Sequence, residues 1–338
     1  MKKNVKMIDI AQKLGVSKVT VSNALAGRSG VSDQMREKIC KTAVEMGYIS
    51  KNSSEKEIYS VGVLVSAKYV EKGESFYWEV YWEVASRLKT KGLAVAFEMI
   101  KIKEEKQKIM PLCLENGKCD AVIIIGKLET DYLQLLQRRF SLPMVILDAY
   151  SGDLEIDSVI SDGYIGMYQM TNYLLKKGHR NIGFVGSIYA TSSIMDRYHG
   201  YCKALMEKGI QIRKEWILED RNVETGDIIV GELPDMMPTA FACNCDLVAN
   251  ELIKKLIEKG YGVPDDISVV GYDNYINNNY YNIGITSYEI DISEMVKATV
   301  ELIIDKLQGN AEEKTELKIL TGRIVEKESV KEIPEVFF

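Results

Sequence analysis

The sequence predicts an α/β protein: a small all-α head followed by two doubly wound α/β lobes. Three observations lead there. Met7 to Tyr48 reads as a helix, a tight turn and further helix. Residues 49–59 are polar and aperiodic. From Tyr59 onward, short β-branched runs alternate with amphipathic segments of helical period, in two successive series. The expected organisation is a helix-turn-helix head at 1–48, a linker or hinge at 49–59 and a two-lobed core at 60–338.

In the head, Ile8, Ile10, Ala11 and Leu14 form an apolar stripe at helical spacing. Gly15 ends that helix, and Ser17 supplies an N-cap oxygen for the next. Val16, Val21 and Leu25 are expected to point back to the first helix. That leaves Lys18, Val19, Ser22 and Asn23 on the start and outer face of the second, where a helix-turn-helix meets the DNA major groove. An ordinary three-helix packing unit would share this pattern. Ser32-Asp33 caps a third helix to about Met46, with Ile39, Ala43 and Met46 inward and Arg36, Lys38 and Lys41 exposed.

Charge is divided unevenly. Residues 1–57 carry eleven Lys or Arg against six Asp or Glu, a net of +5, whereas the remainder carries −11. A basic head on an acidic body suits one end that meets phosphate and another that avoids it.

In the core, Val61–Val65 opens the first series as a buried strand, followed by a helix over Phe76–Lys91, a strand over Leu93–Met99 and a helix over Glu104–Asn116. Strands at Ala121–Ile125 and Met144–Leu147 flank a helix near Asp131–Phe140. A second copy of the rhythm is expected after Ser158. Its helices are Tyr164–Lys177, Ile194–Lys208, Asp246–Lys259 and Ser293–Gln308; its strands are Ile182–Val185, one near Trp216, Thr239–Cys243 and Ile267–Val270. Such alternation implies parallel sheets covered on both faces, with a ligand cleft between the lobes at the strand C-termini.

A chain of 338 residues, 46% hydrophobic, is long enough for two or three domains. Its opening MKKNVKMIDIAQ has no apolar run of the secretory kind, and no stretch approaches the ~18 apolar residues of a membrane span, so a cytoplasmic protein without membrane contact is expected. Cysteines at 40, 113, 119, 202, 243 and 245 form no CxxC pair, and His179 and His199 are the only histidines, so neither metal nor cofactor is called for.

Several ordered motifs carry a resemblance: DIAQKLGVSKVTVSNAL, VSDQMREKI and EMGY, then KKGHRNIGFVG, DRYHGY, VPDDISVVGYDN and a final helix with LQG. Over essentially its whole length the chain resembles the lactose/galactose-repressor (LacI-type) family of transcription regulators. The resemblance implies a core like periplasmic sugar-binding proteins, a homodimer, a palindromic double-stranded DNA operator and a small-molecule effector. Base-reading positions fall on Lys18, Val19 and Asn23: Lys18 suits guanine, Val19 a thymine methyl and Asn23 adenine. Ser17, Thr20 and Ser22 complete the DNA-binding set, Thr20 and Ser22 toward phosphates.

For the effector, the resemblance implies Phe76, Tyr77, Asp148, Ser193, Arg197, Asp246 and Asp273. Phe76 and Tyr77 are read equally well as core packing. Two carboxylates, one arginine and aromatic faces suit a sugar, polyol or nucleoside better than a strongly anionic ligand. There are departures from the family. Asn23 stands where arginine is usual, Cys245 where an amide is usual and Ile228 where tryptophan is usual. The linker lacks the proline, alanine and wedge leucine that kink an operator and carries Glu55 and Glu57 instead. A hydrolase using Asp148 and Asp273 and a plain sugar receptor are the competing functions; neither explains the head.

Overall fold

The computed structural model describes residues 6–25, 31–46, 59–70, 76–276, 280–310 and 314–334. The chain divides into two compact units, Met1–Ile58 and Tyr59–Phe338. The linker expectation at 49–59 falls almost wholly outside the described residues.

The head is three helices, α1 (Met7–Leu14), α2 (Lys18–Leu25) and α3 (Asp33–Glu45). Ile10, Ala11, Val21, Ala24, Ile39 and Ala43 form its core. Gly15 closes α1 at φ 64°, in left-handed backbone that glycine adopts without penalty. The Ser17 hydroxyl then accepts the Thr20 amide at 3.0 Å as the N-cap of α2. Two expectations need correction. Ile8 is exposed rather than part of the apolar stripe, because the face that packs is Met7, Ile10, Ala11 and Leu14, at i, i+3, i+4 and i+7, and Ile8 lies off it. Arg36 is half-buried rather than exposed: its Nη1 donates to the Ala24 carbonyl at 3.1 Å, satisfying an open acceptor at the end of α2.

The second unit holds two six-stranded sheets. The first lobe begins with β1 (Ser60–Ser66), a 3₁₀ turn at Ala67–Tyr69, α4 (Phe76–Thr90) and β2 (Ala94–Ile100). It continues through α5 (Ile102–Lys106), α6 (Leu112–Glu115), β3 (Ala121–Ile125), α7 (Thr130–Arg139), β4 (Met144–Leu147) and β5 (Asp157–Ser161). The helix expected at 104–116 is thus two short ones. Pro111 cannot continue a helix, and Glu98 caps the restart by accepting the Leu112 and Cys113 amides at 2.8 and 2.9 Å.

The second lobe contains α8 (Gly163–Lys176), β6 (Ile182–Val185), α9 (Ser192–Met206), β7 (Ile217–Leu218), β8 (Ala240–Cys243), α10 (Asp246–Glu258), β9 (Ser268–Asp273) and β10 (Thr286–Glu289). The chain then returns. The helix α11 (Ile292–Gln308) packs on α4 and on β3, β4 and β5, so it belongs to the first lobe and not to the second series as expected. Next, β11 (Leu317–Leu320) pairs with β5, and β12 (Arg323–Val325) pairs antiparallel with β10. The sheet orders are β11-β5-β4-β3-β1-β2 and β12-β10-β9-β8-β6-β7, parallel except at β12. The chain therefore passes between lobes three times, after β5, after β10 and after β11.

The buried runs Val61–Val65, Ala121–Ile125 and Met144–Leu147 are apolar on both faces because helices cover both sides of a parallel sheet. Among the described residues no helix is long and apolar enough to cross a membrane.

Candidate functional site

A cavity of about 580 Å³ opens between the two sheets of the core. It is lined by residues that follow strand C-termini, where parallel sheets place ligands. Asp148 follows β4 and Asp273 ends β9, both in left-handed backbone at φ 65° and 93°. Non-glycine residues rarely adopt that conformation, and it turns each carboxylate out of its sheet.

Arg197, on α9, lies between these carboxylates and is buried. Its Nη1 donates to the Asn244 carbonyl at 2.7 Å, its Nη2 pairs with Asp273 at 3.2 Å, and its guanidinium stacks 3.8 Å over the Tyr272 ring. Burial works against its charge, but Asp273, Tyr272 and Asp148 outweigh that and hold it above the ordinary arginine range. Its Nε is buried with no hydrogen-bond partner among the described residues. Burial pushes Asp148 up to about 6 against the pull of Arg197; Asp273 adds to the rise, and the Tyr77 hydroxyl opposes it by donating at 3.0 Å. Burial also raises Asp273, with Arg197 and Arg221 opposing.

Phe76 and Tyr77 lie at the start of α4, line the cavity and also pack on the core, so both readings of these aromatics hold. Phe76 meets Tyr275 edge to face at 5.7 Å, and Tyr77 meets Tyr69 at 5.6 Å. Ser193 lines the cavity beside Thr191, whose hydroxyl is 2.9 Å away and N-caps α9.

Asp246 does not join the cavity wall. Although it opens α10, its carboxylate turns the other way and accepts the Ser287 hydroxyl at 2.6 Å. Gly271 makes room for it: a Cβ there would stand 2.0 Å from Asp246 Oδ1. Burial raises Asp246 to about 8, so it is a protonated packing group at neutral pH rather than a ligand contact.

The cavity wall carries further charges of both signs, Lys68, Arg221 and Asp227, beyond those read from the sequence. Arg221, just past β7, lines it, as do Lys68 and Tyr69 just past β1. Arg221 Nε and Nη2 bond to Asp220, which is fully buried and also accepts the Ser187 amide at 2.7 Å. Position alone could have flagged these residues, since each follows a strand C-terminus. Tyr275 lay within the Tyr- and Asn-rich loop after β9. Asn244 and Cys245, ahead of α10, complete this wall.

In the head, Ser17, Lys18 and Val19 are exposed, and Val19 keeps 67% of its surface open, which no packing role explains. Thr20, Ser22 and Asn23 are half-buried. The Ser17 and Thr20 hydroxyls lie 2.9 Å apart, so both already serve the turn.

Residues 6–51 match the family described as bacterial regulatory proteins, lacI family, and residues 171–330 match the periplasmic binding protein-like domain. The HTH-type transcriptional repressor PurR of Glaesserella parasuis serovar 5 (strain SH0165) is 26% identical over 315 residues, covering 91% of this chain and 92% of that protein. PurR of Pasteurella multocida (strain Pm70) is 25% identical over 329 residues, covering 94% and 97%. Among solved structures, the lac repressor dimer bound to operator and the anti-inducer ONPF aligns with a TM-score of 0.66 at 23% identity, over 97% of this chain and 100% of that one. The transcriptional regulator CelR–cellobiose complex aligns with a TM-score of 0.66 at 20% identity, over 96% and 100%.

Proposed function

We propose a function that proceeds from one fact: the chain belongs to the LacI family of bacterial regulatory proteins. It is a DNA-binding transcriptional repressor that acts as a homodimer on a palindromic operator, in the cytoplasm. A small polar ligand of the sugar or polyol class, held between the core lobes, controls its affinity for DNA. The head at 1–48 reads the operator through Lys18, Val19 and Asn23, with Ser17, Thr20 and Ser22 on the backbone, and the linker at 49–59 joins it to the core at 60–338. Without a wedge leucine in that linker the operator is bent little, and a circular-permutation assay that found a sharp central kink would overturn this.

One observation carries the ligand reading. Arg197, Asp148 and Asp273 form a buried polar cluster inside a cavity, and the cluster leaves Arg197 Nε without an acceptor. A buried donor in that state is stabilised by a ligand oxygen. Phe76 and Tyr275 offer ring faces to the apolar side of such a ligand. The carboxylates act in binding and not in turnover, because Asp273 is held by Arg197 and Asp148 by Tyr77.

Ligand binding shifts the population of core conformations, by no more than the ligand's differential affinity for them. The test uses the full chain: select an operator from random DNA, measure its affinity against salt, then titrate aldoses and nucleosides. Selection of a two-fold-symmetric site whose affinity changes with one of them supports the reading. Failure to enrich any sequence, or hydrolysis of an added glycoside, refutes it.

A further inference from the structure

One wall of the cavity is a hairpin of the second lobe, contributing Thr225, Gly226, Asp227 and Ile228 to the lining. It turns tightly after β7. The Asn222 side-chain oxygen accepts the Glu224 and Thr225 amides at 2.9 and 3.1 Å, and the Gly226 amide donates to the Asn222 carbonyl at 2.8 Å. Below the turn, Arg221 is bridged to Ile228, and the Ile229 and Gly231 amides donate to the Asp220 and Glu219 carbonyls, both at 2.8 Å. Arg221 also fixes the base by pairing with buried Asp220 at 2.6 Å. With its backbone ladder and its charge satisfied locally, the hairpin is a stiff extension of the second lobe.

Lys68, in the 3₁₀ turn after β1 of the first lobe, grips this hairpin twice. Its ammonium donates to the Val223 carbonyl at the tip. Its own carbonyl lies against Gly226, where φ is 80° and an added Cβ would stand 2.6 Å from the Lys68 oxygen. Lys127, just past β3, makes a second contact of this kind: it donates to the Ala190 carbonyl at 3.3 Å, one residue before the Thr191 cap of α9. Both lysines thus reach from the first lobe to backbone of the second. Such contacts form only with the lobes closed, and they need nothing from a ligand.

We propose that Lys68 is a positioning residue of the effector site: it clasps the 221–228 hairpin to the first lobe and so sets the fraction of ligand-free chains whose cavity is already assembled. In its role toward the effector this rests on the ligand-controlled reading above. Apparent affinity scales with the binding-competent fraction, so a residue acting through closure changes the affinity of every ligand by one common factor. A residue that touches the ligand discriminates among ligands instead.

The clasp is tested first without ligand or DNA. Cys245 lines the cavity, and burial raises its thiol to about 12, so iodoacetamide should label it slowly in the native full chain. Lys68→Met keeps the aliphatic stem and removes the ammonium. It should speed Cys245 labelling roughly threefold to tenfold, while fully buried Cys243 keeps its wild-type rate. Gly226→Ala forces the seam apart by another route and should act in the same direction. Cys245 labelling unchanged in both variants overturns the clasp, as does equal acceleration of Cys243, which would mark general unfolding. Calorimetric titration with glucose, maltose, ribose and adenosine then reads the role toward the effector. Each ligand that binds should lose the same factor in Lys68→Met, and ligand-free operator affinity should move opposite to the direction in which that ligand moves it. Losses that differ from ligand to ligand, or no loss for any, overturn the positioning role. If no member binds and none alters operator affinity, the ligand-controlled reading falls, and the labelling rates still decide the clasp.

Discussion

Replacing Asp148 by Asn isolates what its buried charge does. The residue sits at φ 65°, and Asn tolerates left-handed backbone as readily as Asp, so the change removes charge and leaves conformation alone. The Tyr77 hydroxyl, 3.0 Å away, can donate to the amide oxygen instead. Burial holds the Asp148 carboxyl at about 6 rather than the ordinary 3.8. The folded chain therefore binds this proton more tightly than the unfolded chain does. Stability owed to this residue is greatest below about pH 4 and falls as the pH rises to about 6, by ~3 kcal/mol. Asp148→Asn cannot titrate, so it escapes that loss. It should match the wild type near pH 4 and exceed it at pH 7.5 by up to ~3 kcal/mol, a rise of up to about 4–5 °C in Tm for a chain of this size. Its effector response should weaken at the same time, since a charged acceptor for ligand hydroxyls is gone. Thermal denaturation of the full chain between pH 4 and 8 reads the first effect, and operator release by ligand reads the second. A variant less stable than wild type at pH 7.5 would refute the reasoning, because attraction to Arg197 would then outweigh burial.

Other outcomes follow from single contacts. Asn23→Ala should relax base preference at one operator position by ~1 to 3 kcal/mol, measured by affinity for single-base operator variants; unchanged preference would mean another face of α2 enters the groove. Arg36→Ala removes the donor to the Ala24 carbonyl, so it should weaken binding to all operator variants alike and destabilise the head by ~1 kcal/mol, seen by amide hydrogen exchange. Gly271→Ala forces a Cβ to 2.0 Å from Asp246 Oδ1 and should destabilise the core by about 2–4 kcal/mol in urea unfolding.

How far the sequence could be read depended on where each signal is stored. The runs AVIII at 121–125 and MVIL at 144–147 were legible because a strand buried on both faces leaves an apolar block. By contrast β11, with Leu317 and Ile319 half open to solvent, and the three-residue β12 carry no such block. The assignment of α11 to the first lobe was invisible for another reason. Its apolar face states that it is buried, and only the chain's return through β11 states against what. At the site, Phe76, Tyr77, Asp148, Ser193, Arg197 and Asp273 reached the cavity as the resemblance implied. Asp246 did not, because a motif records that a residue is needed and not which way its side chain turns. Lys68 and Arg221 were missed because each is one charged residue in a loop, and their juxtaposition arises only when two lobes meet.

If the cavity binds the effector as proposed, the same geometry makes it a reservoir for signalling energy. Two aspartates in left-handed backbone, one of them titrating near 6, and an arginine with an orphan Nε are each less stable than an apolar packing would be. A ligand that supplies an acceptor to Arg197 and donors to Asp148 stabilises only the conformation in which all three converge. Its binding energy is thus realised as a difference between conformations and not as uniform affinity, which is the condition for moving an equilibrium. Because the chain passes between the lobes three times, each lobe is tied to the other at three points. A change in closure is then expected to turn whole sheets as rigid layers, with little scope for a loop to absorb it.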